Sequence, residues 1–174
     1  MSRMISLFRC YRHARGRVGS MRVRAPLLAF ALTLTATTAP QLAHAQAAAG
    51  AQWTTPSGTL QGTRYSSLAQ ITSANVGTLV EEFSFPTGAK ASHEGQPLIV
   101  GNTMYIVTPF PHKLIALDLR TPGKVLWTFN PDADEFAQGV ACCDVVNRGA
   151  AYANGKIIYN VLDDTTVAVA KARQ

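Results

Sequence analysis

The chain has 174 residues, of which 47% are hydrophobic and 15% are charged, and its formal net charge at pH 7 is +6. Seven of its 16 basic side chains precede residue 25, whereas none of its 10 acidic side chains precedes residue 46. The remainder therefore has a net charge of about −1, which excludes the basic surface that a nucleic-acid-binding protein needs.

The first 45 residues are typical of a secretory signal peptide. The arginines between Arg3 and Arg24 form a positive n-region, residues 25–39 form an apolar stretch, and Ala43-His44-Ala45 supplies a small-x-small cleavage site. A retained membrane anchor is the less favoured alternative, because the apolar stretch is short for a membrane span. We predict a signal peptide over residues 1–45 and a periplasmic domain over residues 46–174.

The segment after the leader predicts an all-β fold. Residues 79–85 alternate in the manner of a strand, and further short apolar runs are separated by turn residues such as Gly101-Asn102, Pro122-Gly123 and Asn154-Gly155, a pattern typical of antiparallel strands. The predicted strands cover residues 79–85, 97–100, 104–108, 113–117, 125–129, 149–152, 156–161 and 165–170. Residues 73–79 predict one short helical turn, and no segment has the periodicity of a long helix.

The strand pattern repeats once. Residues 101–107 resemble residues 154–160 at an offset of 53 positions, and residues 114–118 resemble residues 166–170 at an offset of 52. Short strands with this period are typical of the blades of a β-propeller. We predict about one and a half to two N-terminal blades of a longer propeller. Ala170 stands where the first repeat has an aspartate, so either the second blade junction is weakened there or the terminal sequence has been altered by a frameshift.

Cys142 and Cys143 are adjacent, and the other cysteine, Cys10, belongs to the predicted leader. Adjacent thiols can pair only in a strained eight-membered ring, which closes no loop and adds little stability. Two buried free thiols are the alternative, although export to an oxidising compartment favours the disulfide. Such a ring would serve as a rigid, polarizable surface or as a redox element. The pair lacks the ligand spacing of a zinc site.

Four motifs follow one another along the predicted domain. They are Thr63-Arg64-Tyr65-Ser66-Ser67-Leu68, His93-Glu94-Gly95-Gln96-Pro97-Leu98, Thr108-Pro109-Phe110-Pro111 and Cys142-Cys143-Asp144-Val145-Val146-Asn147-Arg148-Gly149. Together they resemble the N-terminal part of the pyrroloquinoline-quinone-dependent alcohol dehydrogenases of the methanol dehydrogenase type. A further pattern, which ends at Trp127, resembles the tryptophan-docking motif of that family. It is less specific, because non-catalytic propellers share it.

The resemblance implies an eight-bladed β-propeller that holds the quinone in its central channel beside a calcium or lanthanide ion. It implies oxidation of a primary alcohol such as methanol to an aldehyde in the periplasm, with cytochrome c as electron acceptor and a possible homodimer. Cys142 and Cys143 would form a disulfide against one face of the quinone, and Arg148 and Glu94 would contact the cofactor. A carboxylate beside this anionic quinone needs a proton or a hydrogen-bond donor.

These 174 residues contain no counterpart of the catalytic base or the metal ligands of the family, so we expect the chain alone to be inactive. The alternative function is a non-catalytic propeller scaffold of the outer-membrane assembly type. The cysteine pair argues against it, and Gln46 stands where such scaffolds carry a lipid-modified cysteine. His93 could be a structural histidine, and we expect His112 on the surface.

Overall fold

The computed structural model describes the backbone of residues 4–9 and, in full, residues 50–141 and 144–172. The greater part of the predicted leader, from residue 10 through its cleavage site, lies outside the described residues, and so do Cys142 and Cys143. Within the described part, no helix is long and apolar enough to cross a membrane.

The described strands form three antiparallel sheets, numbered here in chain order. The first sheet pairs β1 (Met4–Arg9) with β2 (Val80–Pro86). The second has the order β3 (Leu98–Val100), β4 (Thr103–Val107), β5 (Leu114–Asp118) and β6 (Lys124–Phe129). The third has the order β7 (Ala151–Ala153), β8 (Lys156–Asn160) and β9 (Thr166–Ala170). A 3-10 helix (Val76–Thr78) and the four-residue helix α1 (Ala137–Val140) are the helical elements in these segments.

The all-β prediction is confirmed, and every strand predicted from the sequence is found to within two residues at either end. The helical turn predicted over residues 73–79 is the 3-10 helix. Two elements were not predicted: α1, which is too short to show a helical period, and β1, which lies in the segment assigned to the leader.

The predicted repeat is visible in the strand register. Leu98 pairs with Tyr105 in the second sheet, and Ala151 pairs with Ile158 in the third, so both partners are displaced by 53 residues. The next strand pair repeats as well, with Thr103 opposite Asp118 and Lys156 opposite Ala170. The third sheet therefore repeats the first three strands of the second.

The second sheet is covered on both faces, because successive side chains of a strand point to opposite sides. In β4, Tyr105 and Val107 belong to a buried cluster shared with the third sheet, in which Ile157 also lies. Met104 and Ile106 belong to a cluster on the opposite face, against which the phenylalanines of β2 pack. The sheet is therefore the central layer of the described structure.

The turn after β5 is closed by Asp118, the residue that Ala170 replaces in the repeat. Its Oδ1 atom accepts hydrogen bonds from the Arg120 guanidinium, at 3.1 Å from Nε, and from the Arg120 backbone N–H, at 3.0 Å. The guanidinium contact is the main reason why the pKa of Asp118 lies below its usual value. Ala170 can make neither bond, so the second turn lacks this closure.

Trp127 has the packing role expected of a docking tryptophan. It packs against the cluster between the second and third sheets, and the centroid of its ring lies 5.8 Å from that of Tyr105. An aromatic pair at this separation stabilises the packing of the two strands that carry it.

Candidate functional site

Two loops approach each other backbone to backbone: residues 93–96, before β3, and residues 147–149, before β7. Gln96 and Gly149 form an isolated parallel bridge between them. A Cβ atom on Gly95 would lie 2.8 Å from the Gly149 backbone nitrogen and 3.0 Å from the Asn147 carbonyl oxygen. Gly149 has a φ of 101°, a backbone conformation that is unfavourable for residues with a Cβ atom. The two glycines therefore permit a contact that larger residues would prevent.

This contact brings together Glu94 and Arg148, two of the four residues predicted to bind the cofactor. The Nη1 atom of Arg148 lies 2.6 Å from Oε2 of Glu94, and the side chains are 78% and 40% exposed, respectively. The guanidinium thus supplies the donor that Glu94 would need beside an anionic ligand. An ion pair this exposed contributes little to stability, so its importance lies in where it places the two side chains.

Arg148 of this pair also lines a cavity of about 470 Å³. Its lining combines apolar and charged side chains: Val140, Ala141, Asp144, Val146, Arg148, Val161, Leu162 and Asp164. Two of these lining residues, Ala141 and Asp144, flank the cysteine pair in the sequence. Arg148 is the cation among these lining residues, and the volume is typical of a small-molecule site.

The prediction that His112 lies on the surface is wrong, because its side chain is only 1% exposed. The loop between β4 and β5 turns inward: the His112 N–H donates to the Pro109 carbonyl at 2.9 Å, and the Tyr159 hydroxyl donates to the His112 carbonyl at 2.9 Å. Pro111 and Lys113, the sequence neighbours of His112, are typical of an exposed loop. The residues that cover it come from the third sheet and from the loop before that sheet, and local sequence does not reveal these contacts.

Asn147 connects this buried histidine to the loop that carries Arg148. Its Nδ2 atom lies 3.0 Å from Nδ1 of His112 and donates to the Asn160 carbonyl at 2.8 Å. Its Oδ1 atom accepts from the Gly149 N–H at 2.9 Å. No role was predicted for Asn147 from the sequence. The available signal was its position two residues before a glycine, since asparagine often accepts from the backbone two residues ahead.

The contacts of His93 support the interpretation that it is a structural histidine. Its Nε2 atom lies 2.7 Å from the Thr87 hydroxyl oxygen, and burial lowers its pKa. Among the described residues, no group of three or more histidine, cysteine, aspartate or glutamate side chains is arranged to hold a metal ion.

Comparison with known proteins places these features in a family. Residues 53–173 match the model of the pyrroloquinoline quinone family described as glucose/ethanol/alcohol dehydrogenase, beta-propeller domain. The lanthanide-dependent methanol dehydrogenase of Methylacidiphilum fumariolicum (strain SolV) is 47% identical over 119 residues, which are 68% of this chain and 20% of that protein. Subunit 1 of the methanol dehydrogenase [cytochrome c] of Paracoccus denitrificans is 46% identical over 120 residues, which are 67% of this chain and 19% of that protein.

A solved structure gives the same result. The chain is similar to a europium-containing methanol dehydrogenase with a TM-score of 0.65 and 47% identity, over 68% of this chain and 21% of that one. The chain thus spans about a fifth of the length of these relatives. The β-propeller fold and the family predicted from the motifs are confirmed. The chain belongs to the family of pyrroloquinoline-quinone-dependent alcohol dehydrogenases and contains part of its β-propeller domain.

Proposed function

We propose that this chain supplies part of the quinone-binding site of a periplasmic quinoprotein that oxidises a primary alcohol to an aldehyde. The observation that carries the proposal is Arg148, which contacts Glu94 and also lines the cavity. Relatives named as methanol dehydrogenases, one of them with cytochrome c in its name, support the reaction class and the acceptor. They also favour an enzyme over a non-catalytic scaffold.

Two features of the cavity suit a flat, anionic quinone, although Asp144 and Asp164 also line it. The Arg148 guanidinium is planar and always charged, so it can pair with a carboxylate or quinone oxygen. Val146, Val161 and Leu162 offer apolar surface in the same cavity. When bound, pyrroloquinoline quinone supplies the electron acceptor for alcohol oxidation. We assign Arg148 to the binding of its oxygens, Glu94 to a contact with the cofactor beside the guanidinium with which it pairs, and a disulfide between Cys142 and Cys143 to the support of its ring face.

Replacing Arg148 with glutamine should weaken quinone binding by about tenfold to a hundredfold. A hydrogen bond to a charged group contributes about 1.5–3 kcal/mol, and each 1.4 kcal/mol corresponds to a factor of about ten. Equilibrium dialysis of the purified chain against pyrroloquinoline quinone measures this directly. The matched control is Arg120→Gln, which removes a similarly exposed arginine that pairs with Asp118 instead. Equal losses in the two variants would show that binding is non-specific and would contradict the proposal.

The same dialysis tests whether the cysteine pair is oxidised to a disulfide after export and whether that disulfide contributes to quinone binding. Material purified from the periplasm should bind the quinone more weakly after mild reduction, because two separate thiols no longer form a rigid surface. Identical affinity before and after reduction, with both thiols shown to be free afterwards, would remove the disulfide from the site.

We also propose that the metal, calcium or a lanthanide, and the catalytic base act from parts of the family fold that these residues do not include. The chain alone should then not oxidise alcohol. A dye-reduction assay with methanol, the quinone and either Ca²⁺ or La³⁺ checks this expectation. Alcohol-dependent reduction of the dye would contradict it.

A further inference from the structure

We infer that His112 is a positioning residue, which acts through Asn147 to hold Arg148 in the orientation that binds the quinone. The inference rests on the function proposed above for Arg148. It assigns a role to a buried histidine more than thirty positions away in the sequence.

The hydrogen bonds of Asn147 fix the orientation of its amide. The Gly149 N–H requires an oxygen acceptor, and the Asn160 carbonyl requires an N–H donor. The Nδ2 atom therefore faces His112 as a donor, and Nδ1 of the imidazole must accept. This role requires a neutral ring with its proton on Nε2.

The surroundings of His112 favour that neutral form. Burial lowers its pKa, and this effect exceeds the opposing contributions of the Thr108 carbonyl and the Asp163 carboxylate. The ring also packs edge-on against Phe110, with 5.9 Å between the ring centroids. A buried side chain held on several sides is a fixed point to which a loop can be attached.

The loop depends on such a point, because the Arg148 side chain is largely exposed and gains little from packing. The direction of the Arg148 side chain is set by the two residues on either side of it. Asn147 is hydrogen-bonded to His112, and the Gly149 N–H donates to the Asn147 side chain. A second hydrogen bond joins the same two loops: the Phe110 N–H donates to the Val145 carbonyl at 2.8 Å. His112 and Arg148 also line a common cavity of about 240 Å³.

Loss of the imidazole acceptor removes one hydrogen bond of the Asn147 side-chain amide and lets the loop adopt other conformations. The ligand must then select the binding conformation, which lowers its apparent affinity. We expect His112→Phe, which keeps an aromatic ring but has no acceptor, to bind pyrroloquinoline quinone about tenfold more weakly. His112→Asn places an oxygen acceptor near the position of Nδ1 and should restore most of the affinity.

A double-mutant cycle separates positioning from general destabilisation. If His112 acts through Arg148, His112→Phe should have little further effect on quinone affinity in an Arg148→Gln chain. Ile157→Val is the control, because it trims a core residue of β8 that belongs to no part of this hydrogen-bond network. It should lower the urea midpoint without changing affinity at temperatures where the chain is folded.

The outcomes distinguish the two claims. No quinone binding by the unmodified chain overturns the proposed function, and this inference with it. Binding by the unmodified chain with equal affinity in His112→Phe overturns the inference alone. The inference alone is also overturned if His112→Phe lowers quinone affinity by the same factor in the Arg148→Gln chain as in the unmodified chain. Should His112→Phe not fold, the asparagine variant decides: affinity near that of the unmodified chain supports the inference, and a tenfold loss overturns it.

Discussion

Alanine at Gly95 should separate the two loops of the site and lower quinone affinity at least as much as the loss of Arg148. Its Cβ atom would meet the Gly149 nitrogen at 2.8 Å and the Asn147 oxygen at 3.0 Å. Both are backbone atoms, so neither can rotate away, and the strands that follow must shift. Overpacking of this kind costs about 1–3 kcal/mol. The shift would also break the Gln96–Gly149 bridge and move Glu94 away from Arg148.

Urea denaturation and quinone dialysis together measure this prediction. Gly77→Ala is the matched control, because a Cβ atom there meets nothing within 4 Å and the residue has no positive φ. We expect the control to change neither the urea midpoint nor the affinity appreciably. If Gly95→Ala behaves in the same way as Gly77→Ala, the close approach of the two loops is not required for the site.

The largest expected effect on stability is that of Leu114→Ala. Leu114 is fully buried in the cluster that joins the second and third sheets. Truncating a buried leucine to alanine costs about 2–5 kcal/mol, because apolar contacts are lost and a cavity remains. Domains of ordinary stability have a free energy of unfolding of about 5–15 kcal/mol, so this single change removes a large part of it.

Urea denaturation monitored by tryptophan fluorescence measures the loss in the free energy of unfolding. The control is Leu126→Ala, which makes the same chemical change on β6 of the same sheet, at a side chain that is 43% exposed. It should cost well under half as much. Similar losses at the two positions would show that the cluster between the sheets is not the core of the domain.

The strands could be predicted from the sequence because two local signals agree there. Short, nearly continuous apolar runs form β4 and β5, and turns such as Asn154-Gly155 mark the ends of the strands. The repeat then gave the blade architecture, since an offset of 52–53 residues survives in the strand register. Local pattern alone does not give α1, which contains a single turn of helix.

The site was less accessible to prediction. Glu94 and Arg148 are 54 positions apart, and no periodicity connects them, so they were identified through the resemblance of their motifs. Gly95 looks like any loop glycine until a second backbone lies against it. His112 was placed wrongly because its burial depends on Tyr159 and Asn147, which belong to the next sheet and the loop before it. Contacts between distant segments decide these features.

The contact between Arg148 and Glu94 has a consequence for how quickly a ligand arrives. Because the two charges cancel at a distance, the pair attracts a diffusing anion far less than a lone guanidinium would. A guanidinium carries five N–H donors, however, and the contact with Glu94 engages Nη1. If Arg148 binds the quinone as proposed, it acts mainly on molecules already in contact with the surface, so the arrangement favours selectivity among anions over fast association.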